Sequence, residues 1–151
     1  MSCATRYPSV PSADEAEPAE LGFLICDDDD SIRAYLATII GAEPGFRVVG
    51  HARDGYEVVA EARRLQPQVI ILDLAMPRKS GLAALPELRR VAPGATIVVL
   101  SAFAAPEVIA EAMRNGAAHY IQKGPAIGEL LPMIHSVLAA RPPAADKIPA
   151  R

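Results

Sequence analysis

No stretch of this 151-residue chain approaches the roughly 20 consecutive apolar residues that a membrane-crossing helix needs. The N-terminus also lacks the basic-then-apolar order of a secretory signal. A cytoplasmic location is expected, with no membrane partner. Cysteine is scarce: Cys3 and Cys26 form neither a disulfide framework nor a metal-ligand spacing, which suits a reducing compartment. Clustered Lys and Arg are missing too. With a formal net charge of -3 and a pI near 5.6, the chain has little to offer a phosphate backbone, so DNA is not an expected partner. Internal repeats are absent.

The composition, 51% hydrophobic and 22% charged, is that of one globular domain able to bury a core. Residues 1–20 hold three prolines and four acids (Asp14, Glu15, Glu17, Glu20) but few large apolar groups, which predicts a disordered N-terminal tail. Residues 141–151, with three prolines, read as a short C-terminal tail. The folded domain is expected over 21–140, with no second domain after it.

Within it, short apolar runs alternate with segments of helical period. The runs Gly22–Cys26, Phe46–Gly50, Val69–Leu72, Thr96–Leu100 and His119–Gln122 predict five strands. Between them Ile32, Tyr35, Leu36, Ile39 and Ile40 recur at helical spacing, as do Val58, Val59, Ala62 and Leu65, and Val108, Ile109, Ala112 and Met113. A final stripe of Ile127, Leu130, Leu131, Ile134, Val137 and Leu138 predicts a closing amphipathic helix. The segment after Gly81 is the least regular, because Pro86 removes a backbone donor unless it sits in a first turn. Asn115-Gly116 ends the fourth helix. Strands apolar on consecutive residues are buried on both faces, and strict alternation implies right-handed crossovers. The expected fold is a doubly wound α/β domain: a five-stranded parallel sheet with helices on both faces.

Such folds bind ligands at the carboxyl ends of their strands, where strand order reverses. The first strand ends in Asp27-Asp28-Asp29-Asp30, the third in Asp73, the fourth in Ser101 and the fifth in Gln122-Lys123. An Asp run before a helix ordinarily caps it, and Asp29 or Asp30 is expected to do so near Ser31. Asp27 and Asp28 still belong to the strand end. There, two carboxylates about 5 Å apart repel by roughly 3 kcal/mol at an effective dielectric near 20, so a cation is expected among them. All-oxygen donors suit Mg2+; zinc would require His or Cys, and His51, His119 and His135 stand singly. A strand-end Asp alone is often only a turn former. Beside a metal and the Lys123 ammonium, however, Asp73 can attack phosphorus and form an acyl phosphate, with Ser101 donating to a phosphoryl oxygen.

The segments ICDDDD, IILDLAMP, VVLSAF and HYIQK, in this order and spacing, resemble the receiver domains of two-component response regulators, over about residues 21 to 140. The resemblance implies the flavodoxin-like strand order 2-1-3-4-5. It further implies Asp73 as phosphoacceptor, Asp28 as direct Mg2+ ligand with Asp27 acting through water, and a metal contact from the Ala75 backbone carbonyl. Ser101 and Tyr120 would form the switch pair, and Lys123 would contact the phosphoryl group. The implied partners are a sensor histidine kinase or phosphotransfer protein, and an output protein at the face running from the fourth helix to the fifth. Phe103 is expected to slow loss of the phosphoryl group by shielding it from water.

Two departures from the common pattern stand out. Gly124 intervenes between Lys123 and Pro125, which implies a looser hold on Lys123. Ser80-Gly81 replaces the usual Asp-Gly. The Lys-Gly form resembles receivers of LuxR/NarL-type regulators, so a fragment or shortened relative of a DNA-binding regulator is an alternative. A phosphorylation-independent pseudo-receiver is another. A haloacid-dehalogenase-type phosphatase would want a second Asp at position 75, where this chain has Ala75.

Overall fold

A computed structural model describes residues 20–102 and 105–139. Most of both expected tails, together with Phe103, therefore lies outside the described residues. The elements run β1 (Leu21–Cys26), α1 (Asp30–Gly41), β2 (Phe46–Ala52), α2 (Gly55–Leu65), β3 (Val69–Leu72), α3 (Gly81–Val91), β4 (Thr96–Ser101), α4 (Pro106–Arg114), β5 (His119–Gln122) and α5 (Leu130–Ala139). A 3-10 turn over Pro125–Glu129 leads into α5. All strand pairs are parallel, in the order β2-β1-β3-β4-β5.

Alternation along the strands divides the core in two. Leu24, Cys26, Ile70, Leu72, Ile97 and Val99 point to a cluster closed by Val58 and Ala62 of α2, Leu85 and Leu88 of α3, and Ala112 of α4. Their neighbours Phe23, Ile25, Val69, Ile71, Val98 and Leu100 pack with Leu36 and Ile40 of α1 and with Leu130 and Ile134 of α5. Both faces of β1, β3 and β4 are thus covered, which is why these strands read as unbroken apolar runs.

Three helical details differ from expectation. Pro86 is the sixth residue of α3, beyond its first turn. The helix survives because Ala84, Leu85 and Leu88 are fully buried, while Pro86 faces solvent, where a freed carbonyl can be hydrated. Of the α4 stripe only Ala112 is buried, and Met113 stays 43% exposed. In the last stripe Ile127 falls in the 3-10 turn, and only Leu130 and Ile134 are fully buried.

Candidate functional site

Backbone bonds carry the strand register one residue beyond the strands and so place the acids side by side. The Asp27 N–H donates to the Ala52 carbonyl (3.1 Å), that of Asp73 to the Cys26 carbonyl (2.9 Å), and that of Lys123 to the Ser101 carbonyl (2.9 Å). β1 lies between β2 and β3, so this is where the strand order reverses.

Asp27 and Asp73 are buried, Asp28 is exposed, and oxygens of all three carboxylates lie within 4.8 Å of one another. Lys123 Nζ joins two of them, 2.7 Å from Asp27 Oδ2 and 3.1 Å from Asp73 Oδ2. The remaining Asp27 oxygen accepts from the Asp29 N–H (2.9 Å), and Asp73 Oδ1 accepts from the Ala75 N–H (3.2 Å). Burial, then the Asp27 charge, raises the Asp73 carboxyl above its ordinary range, against the pull of Lys123. Burial works to lower Lys123, but its bonds to the two carboxylates outweigh this and raise it. Lys123 is bonded at both ends, its N–H to the Ser101 carbonyl and its Nζ to the two carboxylates. Gly124, at φ 108°, takes a backbone conformation that other residues rarely adopt.

The Ser101 side chain is fully buried, and its hydroxyl has no hydrogen-bond partner among the described residues. The Tyr120 hydroxyl is likewise out of water and unpartnered, with the ring against the α2–α4 side of the core. Burial and the Asp73 charge raise its pKa. Tyr120 thus lies inward in this structure.

The chain leaves Asp73 outward and returns at Ser80, whose hydroxyl caps α3 by accepting from the Ala83 N–H (3.1 Å). Gly81 then donates its N–H to the Leu74 carbonyl (2.9 Å). Asp29 caps α1, accepting from the Ser31 and Ile32 N–H groups.

Several residues shaping the site went unread in the sequence. Asp54, buried, caps α2 by accepting from the Glu57 N–H (2.9 Å), accepts from Arg78 Nε (2.6 Å), and lends its carbonyl to the Cys26 thiol (3.6 Å). The Glu57 bond and the Arg78 guanidinium, outweighing burial, hold its carboxyl below the ordinary range. The Asp54-Gly55 pair before a helical segment carried a capping signal. Arg33, buried, donates to the Asp27 carbonyl and to the Asp30 carboxylate; its spacing from Asp30 was the available clue. The Cys26 thiol, beside Asp27, is pushed up by burial and by the neighbouring carboxylates.

The donor set fits a hard divalent cation, since every candidate ligand is oxygen and Asp28 is open to solvent. Among the described residues, Asp27, Asp28 and Asp73 are the side chains that could hold it.

Residues 23–135 match the family model of the response regulator receiver domain. Over 124 residues the chain is 39% identical to the transcriptional regulatory protein PdtaR of Mycobacterium tuberculosis, covering 81% of this chain and 58% of that one. It is 35% identical over 100 residues to the chemotaxis protein CheY of Thermotoga maritima, covering 66% of this chain and 82% of that protein. A crystal structure of a LuxR-family two-component response regulator from Aurantimonas sp. SI85-9A1 superposes with a TM-score of 0.76 at 26% identity, over 82% of this chain and 88% of that one. The chain thus spans a little over half the length of the first of these relatives.

Proposed function

Because the chain belongs to the response regulator receiver family of two-component signalling, we propose that it accepts a phosphoryl group on Asp73 from a sensor histidine kinase or phosphotransfer protein. The observation that carries this reading is the meeting of Asp27, Asp28, Asp73 and Lys123 at the β1/β3 crevice. An Asp73 oxygen attacks phosphorus, the donor's phosphorus–nitrogen bond breaks, and the imidazole leaves with its electron pair. Lys123 keeps Asp73 oriented and offers a positive charge where phosphoryl oxygens gather. Ser101, whose hydroxyl lacks a partner, supplies a donor.

Asp28 and Asp27 would hold Mg2+ with Asp73 and the Ala75 carbonyl. When bound, the metal neutralises charge on the transferring group and the crowded carboxylates. The chain promotes its own phosphorylation and dephosphorylation. The phosphoryl group is read out through Ser101 and Tyr120 at the α4–β5–α5 face by an output protein, in the cytoplasm. The receiver domain is assigned to residues 21–140.

Intact-mass measurement after incubation with Mg2+ and acetyl phosphate tests this. One added phosphoryl group on the wild type, none on Asp73→Asn and none without divalent metal is the expected pattern. An adduct that persists in Asp73→Asn overturns the assignment. Mg2+ titration should show Asp28→Ala weakened more than Asp27→Ala.

A further inference from the structure

We propose that Arg33 is the positioning residue of the acidic loop: its guanidinium spans the loop from Asp27 to Asp30 and thereby fixes where Asp28, between them, presents its carboxylate to Mg2+. The proposal rests on the phosphoacceptor reading above and deepens it.

Arg33 is the fourth residue of α1, and its backbone N–H closes the first turn on the Asp29 carbonyl (3.1 Å). Helical side chains lean toward the N-terminus, which here is the loop itself. Nη1 donates to the Asp27 carbonyl oxygen at 2.5 Å, and Nη2 donates to the Asp30 carboxylate. The residue is only 7% exposed, an unusual burial for an arginine. The two acceptors flank Asp28 on either side in sequence.

Asp28 needs such support. Asp27 is tied at its N–H, its carbonyl and both carboxylate oxygens. The Asp28 side chain is exposed and makes no hydrogen bond or ion pair among the described residues, so its position follows from its neighbours. Four consecutive carboxylates also repel one another. Lys123 offsets that charge from the crevice side, and Arg33 offsets it from the α1 side. A lysine at 33 would keep the charge but lose the planar fork that reaches a carbonyl and a carboxylate together.

A cleft of about 530 Å3 is lined in part by Asp30, Arg33, Ala37, His51 and Arg53. Removing the side chain would therefore leave a space that a small guanidinium ion can enter from solvent. This separates a positioning role from simple loss of packing.

The test is calorimetric titration of the intact chain with Mg2+, with thermal melting to verify folding. Arg33→Ala should bind Mg2+ roughly 10–100-fold more weakly, the range for losing a group that orients a metal ligand. Millimolar methylguanidinium should recover much of that loss in Arg33→Ala and change nothing in the wild type. Arg33→Lys should remain weakened, and Arg53→Ala, in the same cleft but bonded to none of the loop acceptors, should bind as wild type. Wild-type affinity in folded Arg33→Ala, or a weakening that methylguanidinium leaves unchanged, would overturn the proposal. If Arg33→Ala does not fold, wild-type affinity in Arg33→Lys overturns it equally. A wild-type chain that takes up no Mg2+ would overturn the phosphoacceptor reading and this proposal together, an outcome distinct from the others.

Discussion

A Cβ added to Gly81 would lie 2.0 Å from the carbonyl oxygen of Asp73. No side chain can occupy that space, so the loop that leaves Asp73 can return to α3 only through glycine. Gly81→Ala is expected to force the Asp73 backbone aside. It should cost about 1–3 kcal/mol of stability, the usual penalty of overpacking, and abolish phosphorylation from acetyl phosphate. Urea unfolding and intact-mass measurement check both; a fully phosphorylated, equally stable variant would contradict this.

Lys123 ties together two buried carboxylates that repel each other without it. Lys123→Met should destabilise the metal-free chain by about 3 kcal/mol, since it leaves those charges unpaired. A second cation competing for the same oxygens opposes Mg2+, so the variant should bind Mg2+ about tenfold tighter, a change of roughly 1.4 kcal/mol. Melting with and without Mg2+ should therefore show a larger metal-induced rise than in the wild type. Phosphoryl transfer should nonetheless fall.

Asp54 and Asp73 shift in opposite directions and predict opposite responses to pH. The Asp54 carboxyl is depressed, so its contribution is present above the unfolded value and is lost as pH falls through the folded one. Asp54→Ala should cost about 1–2 kcal/mol at pH 7, as lost N-caps do, and the deficit should shrink in acid. The Asp73 carboxyl is raised, so its ionised form opposes folding at neutral pH. In metal-free buffer Asp73→Asn should be more stable than wild type at pH 7, and that gain should vanish below the unfolded value. Denaturant titrations across the acid range decide both signs.

Beryllofluoride with Mg2+, a stable mimic of the phosphoryl group, should shift the amide resonances of Ser101, Tyr120 and Val108 to Met113 as well as those beside Asp73. Ser101 and Tyr120 hold unpartnered buried hydroxyls, and α4 has little else fixing it. Changes confined to the immediate neighbours of Asp73 would rule out this route of coupling.

The strands were legible because β1, β3 and β4 are covered on both faces and so appear as unbroken apolar runs, whereas their order came from the resemblance to receiver domains. The candidate site was legible because Asp27, Asp73 and Lys123 directly follow strands and Ser101 ends one. Arg33 and Asp54 showed only local clues, an acid three residues away and a capping pattern; that Arg33 also reaches the Asp27 carbonyl, and Asp54 meets Arg78 and Cys26, depends on the fold. Pro86 misled in the opposite way, since local propensity took no account of Leu85 and Leu88 beside it. Tyr120 depended on packing, which no periodicity reports.

Ala112 is the one residue of α4 that the core fully encloses. Apart from Val108 and Ile109, which are partly buried, the rest of α4 faces outward, and substitutions at its exposed positions should change stability by no more than about 0.5 kcal/mol. Duplicated genes encoding this domain can therefore diverge along α4 without disturbing the chemistry at the strand ends. Descendants sharing one reaction can in this way acquire separate audiences, and parallel signalling routes within one cell can stay insulated from each other.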